Sequence, residues 1–373
     1  MKLRILPILI LTALTITAAY AQYNRTDLVS NQPGIAPFTD PNLVNAWGLV
    51  ALPTSPWWVS DNGTGDSSLK NAMGQPVIAT GGSTNFVTVP PAPSSPAGTL
   101  GTPTGIVGNI STNAKDFTIT EGIRSGRSIF IFATLDGTIS GWNPAVGIAD
   151  PTTGATHATI AVNRSNDGAV YTGLAIATNQ AGQTFLYAAD GGPNRRVDRF
   201  DGTFKVKSFD DPAIPRNFTT YGIQTVNGNI WVTFTALNKA QGGFVDVFDT
   251  EGNLVRHFAA HGPLHSPSGI ALASNNNFAY VINQVDNTVS SFTLSNTGTF
   301  TPTGTAVATG SSPAAIATSS FLPWVYVTNV GGSSVSMYSV NAASGVLTAI
   351  AAPVMTGSVP LSIALAVPFA DIF

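Results

Sequence analysis

The sequence predicts an all-β fold in which a short meander of strands is repeated around a common axis. Three recurring features support this prediction: apolar runs that begin with a small residue, runs that end in Asp or Asn, and runs in which an aromatic residue follows a β-branched one. They recur at intervals of about 45 to 70 residues, which indicates one supersecondary unit copied and stacked. We therefore predict a six-bladed β-propeller of four-stranded antiparallel meanders, with a seven-bladed ring as the alternative.

An apolar segment with a small first residue opens each unit, and we predict it to be the inner strand. Small residues suit strands that crowd around a central axis, where backbones approach closely. Six copies are followed by the rest of a unit, which predicts six blades. A seventh copy at 362–366 would pair with the N-terminal segment as a partial blade; alternatively, a strand near 27–29 would join the last blade. The copies start at Gly48, Gly105, Gly173, Gly222, Gly269, Ala315 and Ser362.

The second and third strands of the units have their own signatures. The second strand ends in Asp or Asn, and the third carries an aromatic residue three positions after a β-branched one. Alternating apolar and polar positions indicate strands rather than helices. The second-strand motifs lie at 58–61, 187–190, 280–283 and 326–329, and the third-strand motifs at 139–142, 197–200, 245–248, 289–292 and 335–338.

Composition and the first residues limit the partners and the compartment. Charged residues are only 9% of 373 and the formal net charge is −3, so we expect no nucleic-acid partner. Residues 1–21 combine basic residues, an apolar run and a small-residue cleavage site, which predicts a signal peptide. No later segment is apolar enough over a sufficient length to span a membrane. We expect residues 22–373 to form one propeller domain, exported from a bacterial cell because an exported chain without cysteine favours that source.

Most of the chain resembles a known group of propeller proteins. Over about residues 26–272 it resembles an uncharacterised family of secreted bacterial propellers, on the segments 43–48, 58–65 and 136–144. This resemblance implies the fold and export, without an agreed reaction.

The C-terminal repeats have a second resemblance. From about residue 273 they are similar to the repeats of surface-layer and lactonase-type propellers, and the residues at 326–329 match the tyrosine-valine-threonine-asparagine signature letter for letter. The resemblance implies a fold that enzymes and non-enzymes share, so the function must be argued from a site.

Acidic and amide side chains end four of the second strands. The loops that leave these strands meet the loops that enter the inner strands on one face of a propeller, at the channel mouth. Asp and Asn oxygens suit Ca²⁺, and the lactonase-type resemblance implies a divalent ion held there by such side chains. Alternatively, Asp and Asn end strands because they bond to the following backbone. The four residues are Asp61, Asp190, Asn283 and Asn329.

Three of the four histidines lie close together in the sequence, at His257, His261 and His265. We predict an outer strand followed by a loop here, and the loop would enter the inner strand at Gly269. His261 or His265 could then act as a base or bind a metal at the channel mouth. The alternative is that they are exposed loop residues.

Aromatic residues that precede inner strands predict a ligand pocket. Three aromatic residues come shortly before a predicted inner strand: Trp47, Tyr171 and Tyr221. Asn62 directly follows the second strand of the first unit. Together they could form a polar and aromatic pocket that stacks a sugar or another flat ligand. Packing between blades is the alternative role for the large aromatics.

Three functions fit these observations. We favour a secreted binding or scaffold module whose partner, a small molecule, a glycan or a protein, binds at the channel mouth. The first alternative is a Ca²⁺-assisted hydrolase of the lactonase type, in which the metal would polarise an ester carbonyl and a bound water. The second is a structural repeat protein of the cell surface.

Overall fold

The computed structural model describes residues 26–237, 242–260, 264–294, 300–319, 322–357 and 360–363. In this part of the chain, six consecutive sheets have four or five strands each, and two further sheets have two. We number the six sheets blade 1 to blade 6 in chain order. The all-β propeller predicted from the repeats is confirmed. The predicted signal peptide at 1–21 lies outside the described residues, and no helix among the described residues could cross a membrane.

Blades 1 and 2 are the most elaborate. Strands β1 (Val29–Ser30) and β2 (Phe38–Thr39) precede them. Blade 1 contains β3 (Ala46–Val50), β4 (Trp57–Asp61), β5 (Asp66–Lys70), β6 (Phe86–Thr88) and, parallel to β6, β12 (Thr156–His157). Blade 2 contains β7 (Pro103–Gly108), β10 (Phe130–Thr134), β11 (Thr138–Trp142) and β13 (Thr159–Asn163), with the hairpin β8 (Thr118–Glu121) and β9 (Arg124–Arg127) inserted after its first strand.

Blades 3 to 6 are regular antiparallel meanders. Blade 3 contains β14 (Tyr171–Thr178), β15 (Thr184–Asp190), β16 (Arg196–Phe200) and β17 (Val206–Phe209). Blade 4 contains β18 (Phe218–Val226), β19 (Asn229–Ala236), β20 (Phe244–Phe248) and β21 (Leu254–Ala260). Blade 5 contains β22 (Pro267–Leu272), β23 (Phe278–Asn283), β24 (Thr288–Leu294), β25 (Phe300–Pro302) and β26 (Val307–Ala308). Blade 6 contains β27 (Pro313–Thr318), β28 (Trp324–Asn329), β29 (Ser334–Val340), β30 (Leu347–Ala349) and β31 (Val354–Met355).

The hydrophobic core lies between neighbouring blades. Five clusters of buried side chains join blades 1 to 6 in series. Between the first two blades, for example, Trp58 stacks on Phe130 with ring centroids 4.4 Å apart. Because blades 2 to 5 each face a neighbour on both sides, their central strands contribute apolar side chains to both faces, and apolar burial is the main stabilising contribution.

The inner strands approach one another so closely that glycine is required. A Cβ on Gly105 would lie 2.3 Å from the backbone nitrogen of Leu174 in the next blade. A Cβ on Gly222 would lie 2.1 Å from the carbonyl oxygen of Ser268. These distances are below any van der Waals contact, so the small residues that open the repeats are explained by the crowded axis.

Both ends of the described chain lie beside blade 1. Strand β1 pairs with β2 in parallel, so the alternative in which a strand near 27–29 joins the last blade is not found. Residues 27–31, 356–357 and 360–362 instead line a cavity of about 740 Å³ beside β3 and β4 of blade 1. The seventh inner-strand copy at 362–366 lies largely outside the described residues.

Candidate ligand-binding site in the central channel

The inner strands surround a channel of about 750 Å³. Neighbouring side chains point to opposite faces of a strand. In five blades and in the C-terminal segment, the residue directly before the small residue that opens the inner strand contributes to the channel wall. The residues at this position are Trp47, Thr172, Tyr221, Ser268, Ala314 and Leu361.

Two aromatic side chains stand out in this wall. Trp47 and Tyr221 are both half-buried, and both line the channel. Burial raises the pKa of the Tyr221 hydroxyl, so this group stays a neutral donor and acceptor. The two side chains thus provide aromatic faces and a neutral hydroxyl within the channel.

Tyr171 does not belong to this wall, which corrects the sequence prediction. It lies two positions before Gly173, whereas Tyr221 lies one position before Gly222, and a shift of one residue turns a side chain to the opposite face of a strand. Tyr171 is fully buried, and its hydroxyl donates to Oδ2 of Asp198 at 2.9 Å. Burial, reinforced by Asp198, raises its pKa.

Asn62 also has a different position from the one predicted. It is not among the channel-lining residues. Its Oδ1 accepts from Nδ2 of Asn45 at 2.9 Å, and its Nδ2 donates to the carbonyl oxygen of Pro103 at 3.2 Å. Asn62 therefore connects blade 1 to the first strand of blade 2.

Neutral polar groups line the rest of the channel. Gln224 is exposed within it, and Thr225 donates to the carbonyl oxygen of Ile176 at 2.9 Å. Asn227 and Asn276 follow the inner strands of blades 4 and 5, both in the left-handed region with φ of 49° and 56°. At a rise of roughly 3.3 Å per residue, the two asparagines lie about 20 Å along the strands from the end of the channel that carries Trp47 and Tyr221. Apart from Tyr221, whose raised pKa keeps it neutral, the channel-lining residues that the structure describes carry no ionisable side chain.

The four residues predicted to hold Ca²⁺ are buried at the ends of β4, β15, β23 and β28. Asp190 is an example of the hydrogen bonds that these residues form. Its Oδ1 accepts from the backbone N–H groups of Val170 at 2.9 Å and Gly192 at 3.1 Å. Its Oδ2 accepts from Nδ2 of Asn194 at 2.9 Å. All of these partners lie within or beside blade 3. Burial raises the pKa of Asp190 in spite of these bonds.

The amides in blades 5 and 6 bond in a similar way. Oδ1 of Asn283 accepts from the backbone N–H of His265 at 3.2 Å, and its Nδ2 donates to Thr288 and Ser290. Oδ1 of Asn329 accepts from the Thr309 hydroxyl at 2.8 Å.

Asp61 in blade 1 is the last of the four residues. Oδ2 of Asp61 accepts from the backbone N–H of Ser68 at 3.0 Å, and burial raises the pKa of this carboxyl to about 8. Each of the four side chains is thus bonded to its own blade and its adjoining loops. This is the hydrogen bonding that the capping alternative describes, although Oδ1 of Asp61 is buried without a hydrogen-bond partner.

The histidines are dispersed. His261 lies outside the described residues. His265 pairs through Nδ1 with Asp286 and is not a channel-lining residue. His257 lies beside the carboxylates of Asp211 and Asp246, a cluster that the sequence reasoning missed. Its signal was an aspartate within an otherwise apolar strand, directly opposite a histidine on the next strand.

Comparison with known proteins agrees with the fold. Residues 229–366 match the model of a family described as lactonase, 7-bladed beta-propeller. The match begins about 44 residues earlier than the resemblance to lactonase-type repeats read from the sequence. The seven-bladed description corresponds to the alternative ring size.

Relatives among curated proteins are viral. The uncharacterized protein L690 of Acanthamoeba polyphaga mimivirus is 28% identical over 270 residues, which cover 68% of this chain and 65% of that protein. The uncharacterized protein R648 of the same virus is 25% identical over 261 residues, 65% of this chain and 58% of that protein. The chain thus spans less than two thirds of these relatives. Its bacterial source and its export remain predictions.

Solved structures share the fold. A putative 6-phosphogluconolactonase from Bacteroides uniformis superposes with a TM-score of 0.54 at 12% identity, covering 84% of this chain and 86% of that one. The hydrazine synthase of Kuenenia stuttgartiensis superposes with a TM-score of 0.56 at 12% identity, covering 85% and 88%. At this identity the likeness concerns the fold alone, and the two names show that the fold serves unrelated chemistry.

Proposed function

We propose that this protein binds a small neutral ligand rich in hydroxyl groups, such as a glycan, in its central channel. The observation that supports this most directly is the presence of both Trp47 and Tyr221 in the channel wall. Aromatic faces stack on the apolar faces of sugar rings, and the polar edge of a tyrosine can bond to a hydroxyl.

The size and chemistry of the channel support the same class of ligand. Its volume of about 750 Å³ lies within the roughly 300–1,000 Å³ of small-molecule sites. Gln224 and Ser268 offer neutral donors and acceptors beside the aromatic residues. Because the described lining residues bear no charge, the channel has no group that would pair with an anionic or a cationic ligand.

Hydrolysis of a lactone is the second candidate, supported by the family match over 229–366. Such a reaction needs a group that activates water or polarises the carbonyl. Asp61, Asp190, Asn283 and Asn329 already bond to their own blades and adjoining loops, which favours binding over this reaction. We therefore place binding first.

Calorimetric titration with a panel of neutral mono- and oligosaccharides tests the proposal. We expect binding by the wild-type protein, and a loss of about tenfold or more in affinity, or about 1.4 kcal/mol, for Trp47→Ala and Tyr221→Ala. Trp57→Ala is the matched control, since Trp57 is a half-buried tryptophan of the same blade that faces the other cavity.

Two results would contradict the proposal. One is that no member of the panel binds; the other is that Trp47→Ala binds as tightly as the control. Turnover of a lactone panel by the same preparation, lost with the channel variants, would favour the hydrolase instead.

A further inference from the structure

Three side chains converge on the side of blade 4, away from the channel wall. Asp211 lies in the loop between β17 and β18, Asp246 on β20 and His257 on β21. Nδ1 of His257 is 3.1 Å from Oδ2 of Asp211 and 3.1 Å from Oδ1 of Asp246. One potential ligand atom from each residue lies within 4.8 Å of the other two.

The fold holds these atoms in place. Asp246 and His257 are paired across β20 and β21, so their side chains leave the sheet on the same face. Oδ1 of Asp211 accepts from the backbone N–H of Ala213 at 2.9 Å, and its carbonyl oxygen accepts from Ile214 at 3.1 Å. This turn directs the remaining oxygen, Oδ2, toward the other two residues.

Two buried carboxylate oxygens in the cluster lack a hydrogen-bond donor. Asp246 is fully buried, Asp211 nearly so, and Oδ2 of each has no hydrogen-bond partner. The Nδ1 of His257 bonds to Oδ1 of Asp246 and has only one hydrogen to donate. Buried carboxylates are ordinarily paired or bound to a metal. Each of these two carboxylates thus has one buried oxygen without a donor, which a cation or a proton would satisfy.

The corresponding site in blade 3 shows how the same position is satisfied otherwise. Asp198 is the second residue of the third-strand motif at 197–200 in blade 3, and Asp246 is the second residue of the same motif at 245–248 in blade 4. Asp198 pairs with the guanidinium groups of Arg164 at 3.1 Å and Arg196 at 2.9 Å, besides the Tyr171 hydroxyl. In blade 4 a carboxylate and an imidazole stand beside the aspartate in place of the two guanidinium groups. The blade 4 site therefore has metal-binding atoms where the blade 3 site has fixed positive charge.

We propose that Asp211, Asp246 and His257 bind a divalent transition-metal ion such as Zn²⁺. One imidazole nitrogen with two carboxylate oxygens suits this class better than Ca²⁺ or Mg²⁺, which prefer oxygen ligands alone. Ligand atoms about 3.1 Å apart match the edge of a tetrahedron with metal–ligand bonds of roughly 2.0–2.1 Å. His257 is 49% exposed, which gives an ion access from solvent and leaves a coordination position for water.

Zinc titration of chelator-treated protein, read by calorimetry and by thermal unfolding, tests the proposal. We expect one equivalent of Zn²⁺ to bind and to raise the Tm, since a ligand that binds the folded state stabilises it. His257→Ala and Asp246→Asn should weaken binding about tenfold or more. His265→Ala is the matched control, because His265 pairs with the half-exposed Asp286 outside the cluster.

The outcomes are separable even if a variant folds poorly. His257 is half-exposed, so His257→Ala should retain the fold, and circular dichroism checks this. Substoichiometric zinc binding by the wild-type protein, or binding by folded His257→Ala equal to that of His265→Ala, would overturn the proposal. Equal affinity for Ca²⁺ would overturn the assignment to a transition metal. A Co²⁺ spectrum typical of four-coordination, lost in His257→Ala, would support it independently.

Discussion

Nδ2 of Asn283 donates a hydrogen bond to Oγ of Ser290 at 2.8 Å, and so links the end of one strand to the middle of the next. The same bond joins Asn329 to Ser336 at 2.9 Å in blade 6. In both blades the serine follows the asparagine by seven positions. Blade 1 has the same spacing between Asp61 and Ser68, but an aspartate has a hydrogen to donate only while its carboxyl group is protonated.

We expect Asp61→Asn to stabilise the protein because the amide supplies this donor at every pH, without taking up a proton. Burial raises the pKa of Asp61 from 3.8 to about 8 in the folded state. A raised folded pKa means that the stabilising contribution is complete below about pH 4 and is lost as the pH rises toward about 8. Asparagine has no such loss. The gain should therefore grow with pH and reach about 1–2 kcal/mol near neutrality.

Urea unfolding of both proteins at about pH 5 and about pH 8 measures this. Asn62→Asp, which places a carboxylate at a half-buried neighbouring position, is the control and should not stabilise at either pH. A variant that is less stable than the wild type at the higher pH would show that the carboxylate is needed in blade 1.

Tyr171→Phe should destabilise the fold by about 1.5–3 kcal/mol, because its hydroxyl donates to the buried carboxylate of Asp198 and bonds to charged groups contribute that much. Tyr280→Phe is a matched control, since that hydroxyl donates to the neutral carbonyl oxygen of Gly345 at 3.2 Å. Chemical denaturation compares them. Equal losses would argue that the Asp198 carboxylate is satisfied by its two arginines alone.

Gly105→Ala should destabilise the propeller by roughly 1–3 kcal/mol or more, as overpacked cores do, because its Cβ would meet the backbone of β14 at 2.3 Å. Backbone cannot rotate aside as a side chain can. Gly357→Ala, with open space around it, should leave the Tm within error. Were both variants to melt alike, the inner strands would have to be less crowded than the structure indicates.

Lys70→Met should cost about 3–5 kcal/mol, since it leaves the buried carboxylate of Asp40 without its ion pair. The other donors to Asp40, Asn42 and Asn85, remain. The double variant Asp40→Asn/Lys70→Met should recover part of the loss because the unpaired charge of Asp40 is then removed. A double variant less stable than Lys70→Met would contradict this explanation.

Much of the fold could be predicted from local patterns. Apolar alternation and the small residue at the start of each unit identified the strands, because strand formation and close approach are determined by the residues themselves. The Trp47 and Tyr221 positions were predicted on the same basis. Tyr171 was assigned to the channel wrongly, because a shift of one residue along a strand turns the side chain to the opposite face. The bulge between Tyr171 and Gly173 is visible only in the pairing of β14 with β15.

The role of the strand-end Asp and Asn residues depended on tertiary structure. Their residue type suits a cation as well as a cap, and the choice rests on which donors the fold brings to them. For Asp190 these donors include the backbone N–H of Val170, which precedes β14, and that of Gly192, which follows β15.

The sequence by itself determined the repeated strands, the all-β class and the residues available for a channel wall, since these depend on neighbours along the chain. Tertiary structure alone decided that Asp211, in a loop, lies against Asp246 and His257, more than thirty residues away. No local pattern carries that information, because blade packing brings the loop to the strands, and contacts between distant segments depend on how the whole chain is arranged.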